Sequence, residues 1–333
     1  MATGMVRSVL AALLFAAAAG CANAEPEAAP PPTAPAPAVP PAPTLDPVQV
    51  RANELGLVPV LMYHQFLPAP TGDYDQTLAE FRDELERLYR EGYRPVTAAE
   101  YISGAIDIPA GTHPVVLTFD DSTASQFAFG ADGGPAPNCA VGILEEFRAR
   151  YPDFRPKATF YVNNEPFGNH PRALTWLAEH GYEVGSHTAN HPNLARLDGV
   201  GVQREFAENV RAIEAAVPGK PVRTMALPLG IAPADRALAG AGHWAGTSYR
   251  FDAVMLVGAE PAPSPYGTVD PTAVPRIRSG KGEVLFDSAY WLDRLAENPA
   301  LRYTSDGDPA RISFPATGGA EPAAAWSTRA NPY

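Results

Sequence analysis

The sequence predicts an α/β fold in which parallel strands form a closed or nearly closed barrel with helices on the outside. Short apolar segments alternate with segments whose apolar residues recur at helical spacing, between residues 58 and 297. The most reactive side chains follow directly after apolar segments, and barrels place their chemistry at the carboxyl ends of strands. At 333 residues and 46% hydrophobic residues, the chain is long and apolar enough to bury a large core.

The amino-terminal residues are predicted to direct export. Residues 9–19 form an apolar run of 11 residues, which suits an export signal and is too short to span a membrane as a helix. Small residues precede Cys21, so residues 1–21 resemble a bacterial lipoprotein signal, with Cys21 as the lipidated residue. Lipidation would hold the exported protein at the outer face of a bacterial membrane, within the cell envelope. Ordinary secretion with cleavage near residues 22–24 is the alternative.

Residues 22–50 predict a linker, because they are dense in Pro and Ala and cannot build a core. A folded domain is predicted over residues 51–300. Residues 301–333 form a predicted extension, and its part after Pro309 is expected to be loose because it is rich in Gly, Ala and Pro.

The predicted strands of the domain are short apolar runs, of the length and composition expected for buried strands. They cover residues 58–63, 115–119, 158–162, 182–185, 222–227, 253–257 and 273–277. The predicted helices have apolar residues on one face, and Gly follows two of them as a stop signal. They cover residues 78–88, 142–150, 171–180, 203–216 and 288–297.

The net charge of −12 excludes some partners. An acidic surface repels phosphate backbones, so the chain is not expected to bind nucleic acid. The same charge disfavours docking on anionic lipid through basic patches.

The first chemical motif is Thr-Phe-Asp-Asp-Ser, residues 118–122, directly after a predicted strand. Two carboxylates at a strand end need partners if they are buried, and a metal ion is one such partner. If one carboxylate binds the metal, the nearby cation would lower the pKa of the other, which could then act as a base. Alternatively, Asp120 and Asp121 cap a helix or open a turn.

The second motif is His-Thr-Ala-Asn-His, residues 187–191, which also follows a predicted strand. If the segment turns like a helix, His187 and His191 can bind one cation together. With a carboxylate from another strand end they make a His, His, Asp set that suits zinc or a similar divalent metal. Two unrelated surface histidines are the alternative.

The order of these motifs, with Ala-Thr-Phe-Tyr-Val at 158–162 between them, closely resembles the polysaccharide deacetylases of carbohydrate esterase family 4, the NodB type. The resemblance covers roughly residues 58–278. It implies a distorted (β/α)7 barrel, a divalent metal bound by Asp121, His187 and His191, and Asp120 as general base. It also implies hydrolysis of acetyl groups from an N-acetylated polysaccharide of the envelope. Zinc is the metal that we expect, with cobalt or manganese as alternatives.

Two late motifs depart from the family pattern. A His is common in a late Leu-x-His motif, whereas the matching segment here is Val-Pro-Arg-Ile-Arg, residues 274–278. An Arg is common in Arg-x-Pro-Tyr-Gly, whereas Ala226 stands at that position here. Pro228 and Gly230 of this segment are predicted to shape a substrate-binding loop.

Other residues can fill both gaps. His64 lies in Met-Tyr-His, residues 62–64, which resembles the start of the poly-N-acetylglucosamine deacetylase branch, whose barrel is circularly permuted. We therefore predict His64 as the general acid, with a structural histidine as the alternative. Arg276, grouped with Pro228 and Gly230 in the predicted substrate site, is the candidate replacement for the motif Arg, with a surface Arg as the alternative.

Three functions stay open at this point. The first is polysaccharide N-deacetylation. The second keeps metal-assisted hydrolysis but changes the substrate to acetylated xylan or a non-sugar amide. The third is a catalytically silent glycan-binding lipoprotein, against which the intact Asp120 argues, because a binding protein needs no base beside its metal ligands.

Overall fold

The structure, a computed structural model, describes residues 46–333. The predicted signal with Cys21, and residues 22–45 of the predicted linker, lie outside the described residues. The last residues of the linker segment form a short helix, α1, Pro47–Val50, whose first turn is capped by Asp46.

One parallel sheet organises residues 60–278. Its strands are β1 Val60–Tyr63, β2 Tyr93–Val96, β3 His113–Phe119, β4 Thr159–Val162, β5 Glu183–Ser186, β6 Thr224–Ala226, β9 Ala253–Met255 and β10 Ile277–Arg278. Seven of them follow the order β10-β1-β3-β4-β5-β6-β9, and β2 pairs separately with β3. Two further pairs form small sheets of their own: β7 Ala241–Trp244 with β8 Thr247–Arg250, and β11 Ile312–Phe314 with β12 Ala330–Pro332.

The helices lie between the strands along the chain, as parallel pairing requires. They are α2 Leu78–Arg90, α3 Ala98–Ile102, α4 Ala140–Arg150, α5 Ala173–Glu179, α6 Gly199–Ala216 and α7 Ser288–Glu297. None of the helices within residues 46–333 has both the length and the apolar character needed to cross a bilayer.

The two ends of the seven-strand path approach each other. A parallel bridge joins Met255 to Val274, and an antiparallel bridge joins Ala259 to Ile277, so β9 and the segment leading into β10 nearly close the ring. The predicted distorted (β/α)7 barrel with outer helices is therefore confirmed.

Successive side chains of a strand point to opposite faces of the sheet, so the barrel has an apolar cluster on each face. Val60, Val116 and Met255 belong to an inner cluster, whereas Leu61 and Leu117 belong to an outer cluster beneath the helices. Inward positions therefore recur every second residue along β1 and β3. The same alternation turns residue 118 of β3 inward and, past the strand ends, places the side chains of residues 64 and 120 at the mouth of the barrel.

Some predicted elements differ from the structure. Strand β2 was not predicted because Tyr93–Val96 contains Arg94 and Pro95, which break the apolar run. The last predicted strand, residues 273–277, is reduced to Ile277–Arg278, with Val274 in an isolated bridge. The hairpin of β7 and β8 was also not predicted.

The expectation that residues after Pro309 are loose is wrong. Strand β11 pairs in parallel with β12, and Ile312 and Ser313 are fully buried. Glu54, before the first barrel strand, accepts a hydrogen bond from the Ser313 N–H at 2.7 Å. The carboxyl-terminal segment therefore packs onto the same domain as residue 54.

Glu54 itself is a buried acid, 3% exposed, whose other oxygen accepts a hydrogen bond from the Tyr303 hydroxyl at 3.1 Å. Burial, with a smaller contribution from the negative charge of Asp306, raises the pKa of Glu54 to about 8. Glu54 is therefore protonated at neutral pH in the folded state.

This shift predicts a pH-dependent stability. Between an unfolded pKa of about 4.3 and the folded value, the folded state holds one more proton, so the free energy of unfolding falls as pH rises. Urea unfolding at pH 5, 7 and 9 should show this fall in the wild type and a flatter profile in Glu54→Gln. Glu297→Gln, which removes an exposed carboxylate, should behave like the wild type. Parallel profiles for Glu54→Gln and the wild type would contradict a protonated Glu54.

Candidate active site

The carboxyl ends of neighbouring strands bring the two motifs together. Strand β1 pairs with β3, β3 with β4 and β4 with β5, all in parallel. His64 follows β1, Asp120 and Asp121 follow β3, and His187 follows β5. Because parallel strands end at one edge of the sheet, these side chains meet at the mouth of the barrel.

Three candidate ligands converge on one point. Asp121 Oδ1 lies 3.4 Å from His187 Nε2 and 3.4 Å from His191 Nε2. Within residues 46–333 this is the one group of three His, Cys, Asp or Glu side chains whose ligand atoms all lie within 4.8 Å of one another. The prediction that these three residues share one location therefore agrees with the geometry.

The donor set fits a divalent metal. Bonds of about 2.0–2.1 Å at tetrahedral angles separate ligand atoms by about 3.3 Å, close to the two distances above. His187 Nδ1 lies 2.9 Å from the Ala226 carbonyl oxygen, a contact that assigns its proton to Nδ1 and leaves Nε2 free as a ligand. Although burial opposes it, the carboxylates of Asp120 and Asp121 raise the pKa of His187.

The ligand segments adopt strained turns. Asp121 and Ser122 have φ values of 73° and 48°, and Thr188 and His191 have values of 65° and 52°. The expectation that residues 187–191 turn like a helix is therefore wrong, since left-handed residues bring the two histidines together. Such conformations cost about 1–3 kcal/mol each and persist only where the surroundings impose them.

Two polar side chains hold the histidine turn in place. Glu205 of α6, 4% exposed, accepts hydrogen bonds from the Asn190 N–H at 2.9 Å and from its side-chain amide at 3.0 Å. The Asn163 amide donates to the carbonyls of His187 at 2.8 Å and Thr188 at 3.1 Å. Sequence reasoning missed Glu205 and Asn163, because neither lies in a motif that predicts a contact with the turn.

Asp120 is paired with Arg276. The two Nη atoms of Arg276 each donate to one carboxylate oxygen of Asp120 at 2.7 Å, and Arg276 Nε donates to the Leu256 carbonyl at 2.7 Å. Arg276 is 0% and Asp120 1% exposed, so the alternative of a surface Arg is wrong. Burial opposes ionisation of Asp120, but Arg276 holds the pKa of its carboxyl well below the usual range.

Arg276 therefore reaches Asp120 from a late strand segment while Ala226 stands at the motif position. Its Nη1 also donates to Thr118 Oγ1 at 3.1 Å. Because its side chain is fully buried in these contacts, Arg276 orients Asp120 and presents no surface to a substrate. Pro228 and Gly230 lie in the turn after β6, and Leu229 between them is 58% exposed. Substrate binding by Pro228 and Gly230 stays a prediction.

His64 also lies beside Asp120. Its Nε2 is 3.9 Å from Asp120 Oδ2, and its side chain is 19% exposed. Burial lowers the pKa of His64, against the opposing effect of the two carboxylates. Its Nδ1 has no hydrogen-bond partner among the described residues.

Gln126 joins the two strand ends that carry these groups. It is fully buried, and its amide donates to the carbonyl oxygens of His64 and Asp120. Gln126 lies in a Gly-, Pro- and Ala-rich segment, residues 124–139, whose sequence gives no signal for this contact.

Sequence comparisons agree with the motif assignment. The family model for polysaccharide deacetylase matches residues 107–243. A chitooligosaccharide deacetylase from Bradyrhizobium sp. (strain ANU 289) is 33% identical over 141 residues, which are 40% of this chain and 57% of that protein. A peptidoglycan-N-acetylglucosamine deacetylase from Bacillus cereus is 28% identical over 133 residues, 38% of this chain and 42% of that protein. The chain thus spans only about half the length of these relatives.

Solved structures share the fold. The deacetylase PplD of Streptococcus pyogenes superposes with a TM-score of 0.52 at 20% identity, over 68% of this chain and 93% of that one. The polysaccharide deacetylase BC0361 of Bacillus cereus gives a TM-score of 0.54 at 20% identity, over 71% and 68% of the two chains. The motif order, the barrel and the sequence matches therefore agree: residues 107–243 match the polysaccharide deacetylase family, and the surrounding barrel has the fold of solved deacetylases.

Proposed function

We propose that the chain is a metal-dependent N-deacetylase that releases acetate from an N-acetylated polysaccharide of the cell envelope. One observation carries the proposal: three metal-type ligand atoms converge beside a buried carboxylate whose ionised state is held by Arg276. His64 lies beside that carboxylate with Nε2 3.9 Å from Oδ2, and its Nδ1 has no hydrogen-bond partner within residues 46–333.

Asp121, His187 and His191 would hold the metal. Two imidazoles and a carboxylate leave further positions open, and the set suits zinc, with cobalt or manganese as alternatives. When bound, such a metal lowers the pKa of water and polarises an acetyl carbonyl.

Asp120 serves as the general base. Both of its oxygens accept from Arg276, which fixes the carboxylate plane, and a carboxylate oxygen can accept more than one hydrogen bond. The low pKa keeps Asp120 anionic, so it is ready to take a proton from the attacking water.

His64 serves as the general acid. An amide anion is a poor leaving group, so the departing sugar nitrogen must receive a proton as the C–N bond breaks. His64 Nε2 lies close enough to the Asp120 carboxylate for both groups to contact the same acetamide group of a substrate. In this scheme His64 acts as the imidazolium, a form that the carboxylates of Asp120 and Asp121 favour and burial opposes. Its Nε2 proton passes to the departing nitrogen and leaves a neutral imidazole.

Location completes the proposal. The sequence features of residues 1–21 support export and lipid attachment at Cys21, and residues 22–50 support a spacer between a membrane and the domain. We infer that the domain acts at the outer face of a bacterial membrane on polysaccharide there.

The substrate class and metal dependence can be tested together. Metal-loaded protein should release acetate from N-acetylglucosamine oligomers faster than from acetylated xylan. A chelator should abolish release, and zinc, cobalt or manganese should restore it. Faster release from xylan would favour the esterase alternative, and no release from any substrate despite bound metal would favour the glycan-binding alternative.

Replacement of His64 tests the general acid. His64→Ala should lower acetate release from N-acetylglucosamine oligomers by about 10²–10⁴-fold, without loss of bound metal. Hydrolysis of an aryl acetate should fall much less, because its leaving group needs no proton. His243→Ala removes an exposed histidine and should change neither rate. Equal losses on both substrates would indicate a structural His64, and near-wild-type release would remove the assignment.

The Asp120–Arg276 pair predicts a stability effect. Arg276→Met leaves a buried carboxylate without a partner and should lower the free energy of unfolding by about 3–5 kcal/mol. The double change Asp120→Asn with Arg276→Met should recover most of this loss but no activity. Arg223→Met breaks an exposed pair with Asp252 and should cost less than about 1 kcal/mol. Equal unfolding energies for Arg276→Met and the double variant would contradict an ion pair.

A further inference from the structure

A cleft of about 430 Å³ opens beside the candidate active site. One wall is formed by residues 70–76, which follow β1, and the other by residues 278–287, which begin at the end of β10. Because β1 and β10 are paired in parallel, both walls rise from the rim of the barrel that carries the candidate active site. We refer to this feature as the acidic cleft.

Direct contacts connect the cleft to the general-acid candidate. Arg278 lines the cleft, and its guanidinium lies 5.3 Å from the ring centre of Tyr74. The Tyr74 ring in turn lies 5.1 Å from the His64 ring, edge to face. Tyr74 is 42% exposed and offers an aromatic surface between the two sites. Tyr74 and Arg278 therefore connect the candidate active site to the cleft.

The lining is strongly acidic. Two cationic side chains, Arg278 and Lys281, face a larger number of carboxylates. The carboxylates are Asp73, Asp75, Glu80, Glu283 and Asp287. The excess of negative charge favours a cationic occupant.

Two of these carboxylates are more exposed than the others and only loosely paired. Asp75 and Asp287 accept hydrogen bonds from nearby backbone N–H groups, and Glu80 accepts from Lys281. Asp73 and Glu283, by contrast, have side chains that are 65% and 74% exposed. Each has a long contact to one cation, 3.4 Å to Arg278 and 3.6 Å to Lys281.

A second, independent feature indicates a polar ligand. Gln76 lines the cleft and is only 7% exposed, yet its Oε1 has no hydrogen-bond partner among the described residues. A buried amide oxygen without a partner is costly, and a ligand hydroxyl or ammonium group can satisfy it.

A second metal ion does not fit this cleft. Among the residues the structure describes, only Asp121, His187 and His191 bring three metal-ligand atoms of His, Cys, Asp or Glu side chains within 4.8 Å of one another. The cleft carboxylates are spread along both walls, and Arg278 and Lys281 also line the cleft, which suits an extended organic cation.

We infer that the acidic cleft binds a protonated, de-N-acetylated amino-sugar unit of the polysaccharide, next to the unit in the active site. The inference rests on the proposed function, because deacetylation is the reaction that produces such units. The ammonium group pairs with Asp73 and Glu283, and the sugar hydroxyls reach Gln76. The enzyme then prefers partly deacetylated chains over fully acetylated ones.

The test compares two double variants of equal charge. Asp73→Asn with Glu283→Gln removes the two available cleft carboxylates. Asp293→Asn with Glu297→Gln removes two carboxylates of similar exposure, 66% and 67%, which also pair with arginines and do not line the cleft. Both variants remove two negative charges. The general attraction between the acidic chain and a cationic ligand is therefore reduced by the same amount in both.

Calorimetric titration of the metal-loaded full chain with a glucosamine tetramer and an N-acetylglucosamine tetramer is the measurement. The cleft variant should bind the glucosamine tetramer about three- to tenfold more weakly, with binding of the acetylated tetramer unchanged and the control variant like the wild type. No loss, equal losses in both variants, or an equal loss for both tetramers would each overturn the inference. Cleft-dependent binding of the glucosamine tetramer by a wild type that releases no acetate would support the inference while refuting the proposed function.

Discussion

The buried pair of Arg276 and Asp120 is the interaction on which the rest of the candidate site depends. Removing two charges from water is costly, and their attraction compensates only when geometry and further hydrogen bonds are favourable. Here Arg276 meets both oxygens of Asp120 and also the Thr118 hydroxyl and the Leu256 carbonyl. The pair thereby ties the segment before β10 to the end of β3, although β1 lies between these strands.

The backbone at the site stores strain that this packing supports. Asp121 and His191 both have left-handed φ values, which non-glycine residues seldom adopt. Their neighbours are held by polar side chains, Glu205 and Asn163 on the histidine turn and Gln126 on the aspartate turn. A metal would then meet ligands that are already positioned, so little ordering cost accompanies its binding.

Local patterns in the sequence predict the barrel and the ligand set, but not the contacts that support them. Asp120, Asp121, His187 and His191 follow apolar strands, and parallel pairing alone places them at one rim. The contact between Arg276 and Asp120 spans 156 positions and depends on the order of strands around the barrel, which no local pattern reveals. Sequence patterns failed for β2 because Pro95 interrupts its apolar run. They also failed after residue 309, where Gly-, Ala- and Pro-rich composition hid the buried Ile312.

Under the proposed function, the negative charge of the chain affects how strongly it binds its polymer. Each hydrolysed acetamide leaves an amine that is protonated at neutral pH, so the polymer gains one positive charge per turnover. A chain with a net charge of −12 attracts such a polymer more strongly as the reaction proceeds, and salt weakens that attraction. The acidic cleft confines the attraction to the rim beside His64, where a charged unit can leave the active site without leaving the protein. Product release and substrate capture would then draw on the same carboxylates.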